Sequence, residues 1–267
     1  MINEQDIRAA FLRQAKDFNH GQLSLANQEY LKWMVELLPL KLANDVLDVA
    51  AGTGHLSRAM APRVGSVTAY DITPEMLDEA RRAAAQQDIR NMAFRQGAAE
   101  SLPFEAGRFD VVTSRFAFHH MVDPSLVLRE MARVCKPDGC VAVIDLVAPP
   151  DAELAERYNH VERVRDPSHT VALQPQAMLE LFRRVGLHID RPEARDVEVD
   201  VGRWLDLTHP GKASIEEIEH AIRDEMSGGA ATGLRPFVRE GRLKFWQTWM
   251  VVVGGKKERL PGTKAAV

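Results

Sequence analysis

The spacing of apolar positions changes character along the chain. Over the first forty residues Ile7, Phe11 and Phe18 recur at helical intervals, and a second amphipathic run from Leu25 to Leu38 ends at Pro39. These predict a helical cover. From Asp45 onward, short apolar runs alternate with amphipathic ones: VLDVA at 46–50, SVTAYD at 66–71, MAFRQ at 92–96, FDVVTSR at 109–115 and CVAVIDLV at 140–147. Helix-like stretches open near Gly54, Pro74 and Pro124. Strands and helices alternating in this way, joined by right-handed crossovers, predict an α/β fold with a doubly wound, Rossmann-like and mostly parallel sheet.

After Pro149 and Pro150 the rhythm gives way to the polar helical segment DAELAERYNHVERVRDPSH, a helix near 176–185 and a strand over 187–199. Residues 200–240 hold Trp204, a helix from Ser214 to Met226 and the loose stretch SGGAATG, and read as a lid insertion. A last strand, LKFWQTWMVVV at 243–253, alternates enough to be half-buried. The chain therefore divides into a cover (1–40), a core (41–150), covering helices with the insertion and final strands (151–255), and a frayed tail (256–267).

Composition narrows the classes of function. The chain has 267 residues, 45% hydrophobic and 27% charged, enough for a full core. With 34 Lys and Arg against 38 Asp and Glu the net charge is -4, which argues against a nucleic-acid partner. No apolar run is long enough to span a bilayer, and the start is charged where a signal peptide is apolar, so neither membrane insertion nor secretion is expected. Cys135 and Cys140 have no second pair to suggest a disulfide framework or a metal site. Together these predict a cytoplasmic protein.

The chemistry concentrates in VLDVAAGTGHLS. An apolar strand ends in Asp48, and the small residues Ala50, Gly52 and Gly54 alternate through the turn into a helix, letting backbone approach a nucleotide-like ligand. About twenty residues later the second strand ends in Asp71, placed to accept both ribose hydroxyls of an adenosine. Taken alone, Asp71 reads equally as a cap for the helix opening at Pro74.

With these residues in order, the chain resembles the class I S-adenosylmethionine-dependent methyltransferases, within them the small-molecule branch typified by ubiquinone and menaquinone biosynthesis. The resemblance runs from about Phe11 to Pro149 on LDVAAGTGHLS, YDITPEMLDEAR, FRQGAAESLPF, FDVVTSRFAFHHM and LREMARVCKPDGCVAVID. It implies a seven-stranded sheet with the last strand antiparallel, S-adenosylmethionine as cofactor, S-adenosylhomocysteine as product and a small-molecule acceptor. By the same resemblance Asp48 and the turn Ala50 to Gly54, including Gly52 and Thr53, would hold the methionine end of the cofactor. Asp71 would grip the ribose, Ile72 and Met76 would pack near the adenine, and Ala99 and Glu100 would lie along the adenine edge. Arg115 and Phe116 would border the methionine, and Phe18 would close over the sulfonium. Two positions depart from the family pattern: Ala50 replaces its first motif glycine, and Ala98 replaces the Asp that binds the adenine amino group.

Methyl transfer to a phenol, acid or amine also needs a base, and histidine is the residue tuned to neutral pH. His119 and His120 follow the fourth strand, where ligands of such sheets collect. His169 sits in the covering segment, near Asp166 in sequence. Each also reads as a packing or turn residue. The aromatic residues Trp204, Phe237, Phe245, Trp246 and Trp249 are candidates to line an apolar acceptor pocket; Phe245 and Trp249 alternate with Gln247 on a strand, which favours packing, and Trp204 is the better pocket candidate. Two other readings compete: a protein that binds S-adenosylmethionine in a structural or non-methylating role, and a nicotinamide-dependent oxidoreductase. The second fits poorly, since the turn is AxGxG rather than GxGxxG and no Tyr-x-x-x-Lys pair follows. The sequence leaves monomer and homodimer equally open.

Overall fold

Each central strand sends alternate residues to opposite faces, and both sets are apolar. Val46, Val111, Ala142 and Val251 point into one core, while their neighbours Leu47, Val112, Val141 and Val252 point into the other. A sheet apolar on both faces must be covered on both, which is the physical origin of the doubly wound arrangement. The computed structural model describes residues 27–257. Phe18, with the first part of the expected cover and everything after 257, lies outside the described residues.

Five parallel strands build the first half of the sheet: β1 (Asp45–Val49), β2 (Ser66–Asp71), β3 (Met92–Gln96), β4 (Phe109–Arg115) and β5 (Cys135–Leu146). Then β6 (His188–Asp200) and β8 (Arg242–Gly255) complete the order β3-β2-β1-β4-β5-β8-β6, with β8 antiparallel to both of its neighbours. An eighth strand, β7 (Pro236–Arg239), pairs with the start of β8. It adds one strand to the expected seven. Its four residues are largely exposed and begin with proline, so they carry no alternation to read. The turn between β7 and β8 is the two-residue kind that fits strand twist, with Glu240 at φ 53° and Gly241 at 71°.

On the first face lie α1 (Gln28–Leu37), α2 (His55–Met60), α5 (Ala152–Arg165), α7 (Val201–Thr208) and α8 (Lys212–Met226), anchored by Met34, Leu56, Tyr158, Trp204 and Ile222. The second face is covered by α4 (Pro124–Val134) and α6 (Pro175–Arg184) through Leu128, Met131 and Phe182. Helix α3 (Pro74–Gln86) packs on β2 and β3. Local chemistry sets the helix starts. Asn27 accepts from Glu29 N at 2.8 Å, Asp123 from Leu126 N at 3.0 Å and Asp151 from Leu154 N at 2.9 Å, while prolines open α3, α4 and α6.

The expected lid is thus α7, α8 and β7 together. Lys256 Nζ donates to the Cys135 carbonyl at 2.6 Å and Lys257 pairs with Asp138 at 2.7 Å, tying the end of β8 to the start of β5. No helix among the described residues is long and apolar enough to cross a membrane.

Candidate active site

At the carboxyl ends of β1, β2, β4 and β5 the chain opens into one cavity of about 850 Å³. Open α/β sheets collect ligands at this edge. The loop after β1 forms one wall. Ala50 and Gly52 both take positive φ, 53° and 54°, and the loop is stitched to β2 by Ala51 N donating to the Tyr70 carbonyl at 3.0 Å. Asp48 lies beneath it, fully buried, accepting from Ser57 Oγ at 2.5 Å and Thr113 Oγ1 at 2.9 Å. Burial outweighs these donors and pushes its carboxyl up to about 6. Arg115, at the end of β4, is lowered to about 10 by burial, partly offset by the charge of Asp48, and so stays cationic at neutral pH. Its guanidinium lies 4.9 Å from the centre of the Phe116 ring.

Asp71 ends β2 on the same wall. One carboxylate oxygen accepts from Gly52 N at 2.7 Å and the other from Thr73 N at 2.8 Å, so Asp71 both braces the β1 loop and helps open α3. Burial raises its pKa. Ile72, Met76, Ala99 and Glu100 line the cavity beside it. Gly97 does too, a position for which the sequence reading assigned no role: a Cβ there would stand 1.9 Å from the buried Tyr70 hydroxyl. That hydroxyl in turn donates to the Ala98 carbonyl at 3.2 Å, and Ala98 is not part of the wall. Gly54 likewise stands behind the surface, as the left-handed cap of α2 (φ 74°), while Thr53 lines the cavity.

The histidines occupy the other half. His119 and His120 form a short turn after β4, and their rings lie 4.1 Å apart. His119 Nδ1 is 2.6 Å from an Asp145 carboxylate oxygen, which can only accept, so Nδ1 carries the proton and Nε2 the lone pair. Asp145 also accepts from His119 N at 3.0 Å and Leu146 N at 2.7 Å. Burial alone would lower the His119 pKa, but the charge and hydrogen bond of Asp145, with Glu162 and Asp166 beyond, outweigh it and raise the pKa. His120 Nδ1 donates to the Ser168 carbonyl at 3.0 Å; burial, then the charge of His119, pushes its pKa down to about 4. Both histidines line the cavity.

His169 departs from its expected place. It is wholly buried behind the wall, its Nε2 donating to Asn159 Oδ1 at 2.8 Å, and burial holds its pKa far below the usual imidazole range. Asp166 does not orient it. Asp166 Oδ1 instead accepts from Ser168 N at 2.9 Å and Ser168 Oγ at 2.6 Å, closing the turn that Pro167 imposes after α5. Thr170 and Val171 then donate to the His119 carbonyl at 2.8 and 3.1 Å, pinning this turn to the histidine pair.

The residues that sequence reasoning missed come from elements remote in the chain. Asp145 reaches His119 only because β4 and β5 are neighbours in the sheet. Arg165, from α5, forms a buried pair with Glu162 (3.0 Å) and lies 4.8 Å from the centre of the Trp204 ring. Gln247 on β8 donates to Tyr158 Oη at 3.0 Å and to Glu162 at 3.1 Å, and accepts from Trp249 Nε1 at 2.8 Å. Trp249 meets Phe116 edge-on at 4.6 Å and Tyr30 at 5.2 Å. Arg165, Gln247, Trp249 and Trp204 all line the cavity, whose second half sets the aromatic rings of Tyr30, Phe116, Trp204 and Trp249 among charged side chains that include Arg203, Arg242 and Lys244. Phe237 and Trp246 stack on one another at 5.1 Å instead and do not line it.

The chain is similar to known methyltransferases. A family model described as a methyltransferase domain matches residues 47–143. The chain is 42% identical over 144 residues to the uncharacterized methyltransferase YcgJ of Bacillus subtilis, covering 54% of this chain and 57% of that protein. The crystal structure of YcgJ superposes with a TM-score of 0.78 at 28% identity, covering 87% of this chain and all of that one. The uncharacterized protein YafE of Escherichia coli is 33% identical over 165 residues, 62% of this chain and 80% of YafE. A demethylmenaquinone methyltransferase of Chlorobaculum tepidum is 39% identical over 114 residues, 42% of this chain and 45% of that protein. The sequence matches thus span about half the length of YcgJ and of the Chlorobaculum enzyme.

Proposed function

Because the chain belongs to the class I S-adenosylmethionine-dependent methyltransferases, we propose that its cavity seats that cofactor beside a small, aromatic acceptor and transfers a methyl group to an acceptor hydroxyl. The observation that carries this reading is one cavity with two unlike halves: Asp48, Asp71 and the β1 loop on one side, the His119–Asp145 pair and an aromatic wall on the other. Its volume lies toward the upper end for a single ligand site, which leaves room for two partners.

The residues present fit the cofactor. The positive φ at Ala50 and Gly52 turns backbone toward the cavity, and the missing side chain at Gly97 leaves room for the Tyr70 hydroxyl behind the wall. In this reading Asp71 takes the ribose hydroxyls through lone pairs left over from Gly52 and Thr73. Ile72 and Met76 flank the adenine, and Ala99 and Glu100 edge it. Asp48, with the loop from Ala50 to Thr53, holds the methionine end, bordered by Arg115 and Phe116. Bound S-adenosylmethionine supplies a methyl group already activated by its sulfonium and leaves as S-adenosylhomocysteine. The protein then has to align the acceptor, exclude water and take a proton.

His119 suits the proton role best among the three histidines. Its Nε2 lone pair is held in place by Asp145 through Nδ1, and its raised pKa keeps the base strong. His120, lowered to about 4, is a much weaker base, and His169 lies off the wall. Below its raised pKa His119 is protonated and cannot accept a proton, so the rate is expected to climb with pH through an inflection above 6.5. Asp145→Asn removes the charge that raises it; the inflection should move to lower pH and turnover should fall by about 10²-fold. An unchanged profile and turnover in Asp145→Asn would remove His119 from the role. The test of the reading as a whole is calorimetric titration with S-adenosylhomocysteine beside NAD and NADP, followed by release of S-adenosylhomocysteine in proportion to methylated product over a panel of phenols and hydroquinones. Binding of the first ligand alone supports it; cofactor binding without product from any acceptor favours the non-methylating role. The acidic balance of the chain argues against a nucleic-acid acceptor.

A further inference from the structure

The turn that follows α5 leaves one carboxylate oxygen unused at the cavity wall. Asp166 is only 3% exposed, and it lines the cavity. Its Oδ1 accepts from both Ser168 N and Ser168 Oγ, whereas its Oδ2 has no hydrogen-bond partner among the described residues and is not sealed off from the cavity. His119 Nε2 is open in the same way, its Nδ1 being committed to Asp145. Both atoms accept hydrogen bonds and neither donates. A ligand that satisfies both therefore brings two donors.

The charges nearby say which donor Oδ2 suits. Burial alone would raise the Asp166 pKa, but His120, Arg165 and the Ser168 donors outweigh it and lower the pKa, so Asp166 is a carboxylate at neutral pH. His120, pushed down to about 4, has lost its own charge by then. Arg165 is paired with Glu162 at 3.0 Å, and no cation among the described residues stands within salt-bridge distance of Asp166. Arg203, Arg242 and Lys244 also line the cavity, but they share the lining with Glu198, Asp200 and Glu240; Lys244 lies 3.1 Å from Glu198 and Arg242 lies 3.6 Å from Asp200. Over the whole lining, five Arg and Lys side chains stand against seven Asp and Glu. A buried carboxylate with no cation of its own is costly to keep charged, and a cationic N–H donor relieves it, whereas a ligand carboxylate would be repelled.

We propose that Asp166 is a specificity-determining residue that recognises a protonated amine on the acceptor, at a point apart from the hydroxyl that His119 deprotonates. This deepens the methyl-transfer reading and rests on it. The test titrates the whole chain, with and without S-adenosylhomocysteine, with four phenols that differ only in the group ending the same para arm: tyramine (ammonium), tyrosol (hydroxyl), 4-propylphenol (methyl) and 3-(4-hydroxyphenyl)propanoate (carboxylate). Tyramine is expected to bind about tenfold tighter than 4-propylphenol, with tyrosol between them and the propanoate weakest. Asp166→Asn keeps an oxygen for Ser168 and loses the charge, and should bring tyramine and 4-propylphenol within about twofold of each other. Asp166→Ser, which can still close the turn through its hydroxyl, should do the same and serves if the first variant does not fold. Glu240→Gln removes an exposed carboxylate from the same cavity and should leave the tyramine preference intact, which separates Asp166 from a general acidic pull. Tyramine binding no tighter than 4-propylphenol, binding of neither, tightest binding of tyrosol or of the propanoate, a preference that survives the Asp166 variants, or one that is lost in Glu240→Gln overturns the proposal. Failure of the chain to bind S-adenosylhomocysteine strikes the cofactor reading instead, and the phenol arms still decide this one.

Discussion

Ala50 stands where the family pattern has glycine, and it keeps the left-handed conformation, φ 53°, that glycine would take at little cost. An L-residue there is strained by about 1–2 kcal/mol. Phe116, also on the cavity wall, is held at 52°. Ala50→Gly relieves the strain but adds freedom to the unfolded chain, and the net expectation is a gain of about 0.5–1 kcal/mol. A urea midpoint that falls in the variant would show that the Ala50 methyl makes packing contacts worth more than the strain. At this scale the sequence was readable where one side chain meets nearby backbone. Asp48 and Asp71 stand at strand ends and declare themselves. Asp145 did not, because its partner lies 26 residues away and is reached through strand pairing.

The elements divide along the same line. The five parallel strands and their crossover helices follow from periodicity, since each must bury two faces. Past Pro150 periodicity still finds α5, α6 and α8, but not what they face. Helix α8 shows why: Ile218 and Ile222 are its only two buried residues, too few to say which neighbour receives them. The neighbour is α5, which carries Arg165 to the cavity and, behind it, Glu162 that pairs with Arg165. Ile222→Ala leaves a void in that contact and is expected to cost about 2–5 kcal/mol in denaturant unfolding. Affinity for S-adenosylhomocysteine should stay within about twofold, because α8 does not line the cavity. A matching loss of cofactor affinity would mean that the two halves of the cavity are not independent.

For the molecule as a whole, Asp48 gives stability a pH dependence of unusual sign for a carboxylate. Burial raises its folded pKa to about 6, against 3.8 for the free group, so the folded state holds this proton more tightly than the unfolded chain. The resulting stabilisation is complete below 3.8 and is lost as pH rises through 6, about 3 kcal/mol by linkage. Asp48→Asn cannot ionise, and its side chain can still meet Ser57 and Thr113. Its stability relative to the parent chain should therefore rise by roughly that amount between about pH 4 and pH 7. Parallel pH dependences in the two proteins would mean that the carboxylate is better solvated than its burial indicates.

The join between β6 and β8 has a further consequence. Asp200, the last residue of β6, sits directly opposite Lys244 of β8. The chain therefore leaves the sheet and rejoins it at facing positions, about 5 Å apart in an antiparallel pair. Everything between, including Trp204 and Thr208, is a detour whose length the sheet does not dictate, and doubling such a loop costs only about 0.6 kcal/mol. In evolutionary terms residues 201–243 behave as a cassette: descendants can lengthen, trim or replace it and so reshape that side of the cavity, while the side built by Asp48, Asp71 and the β1 loop is inherited unchanged.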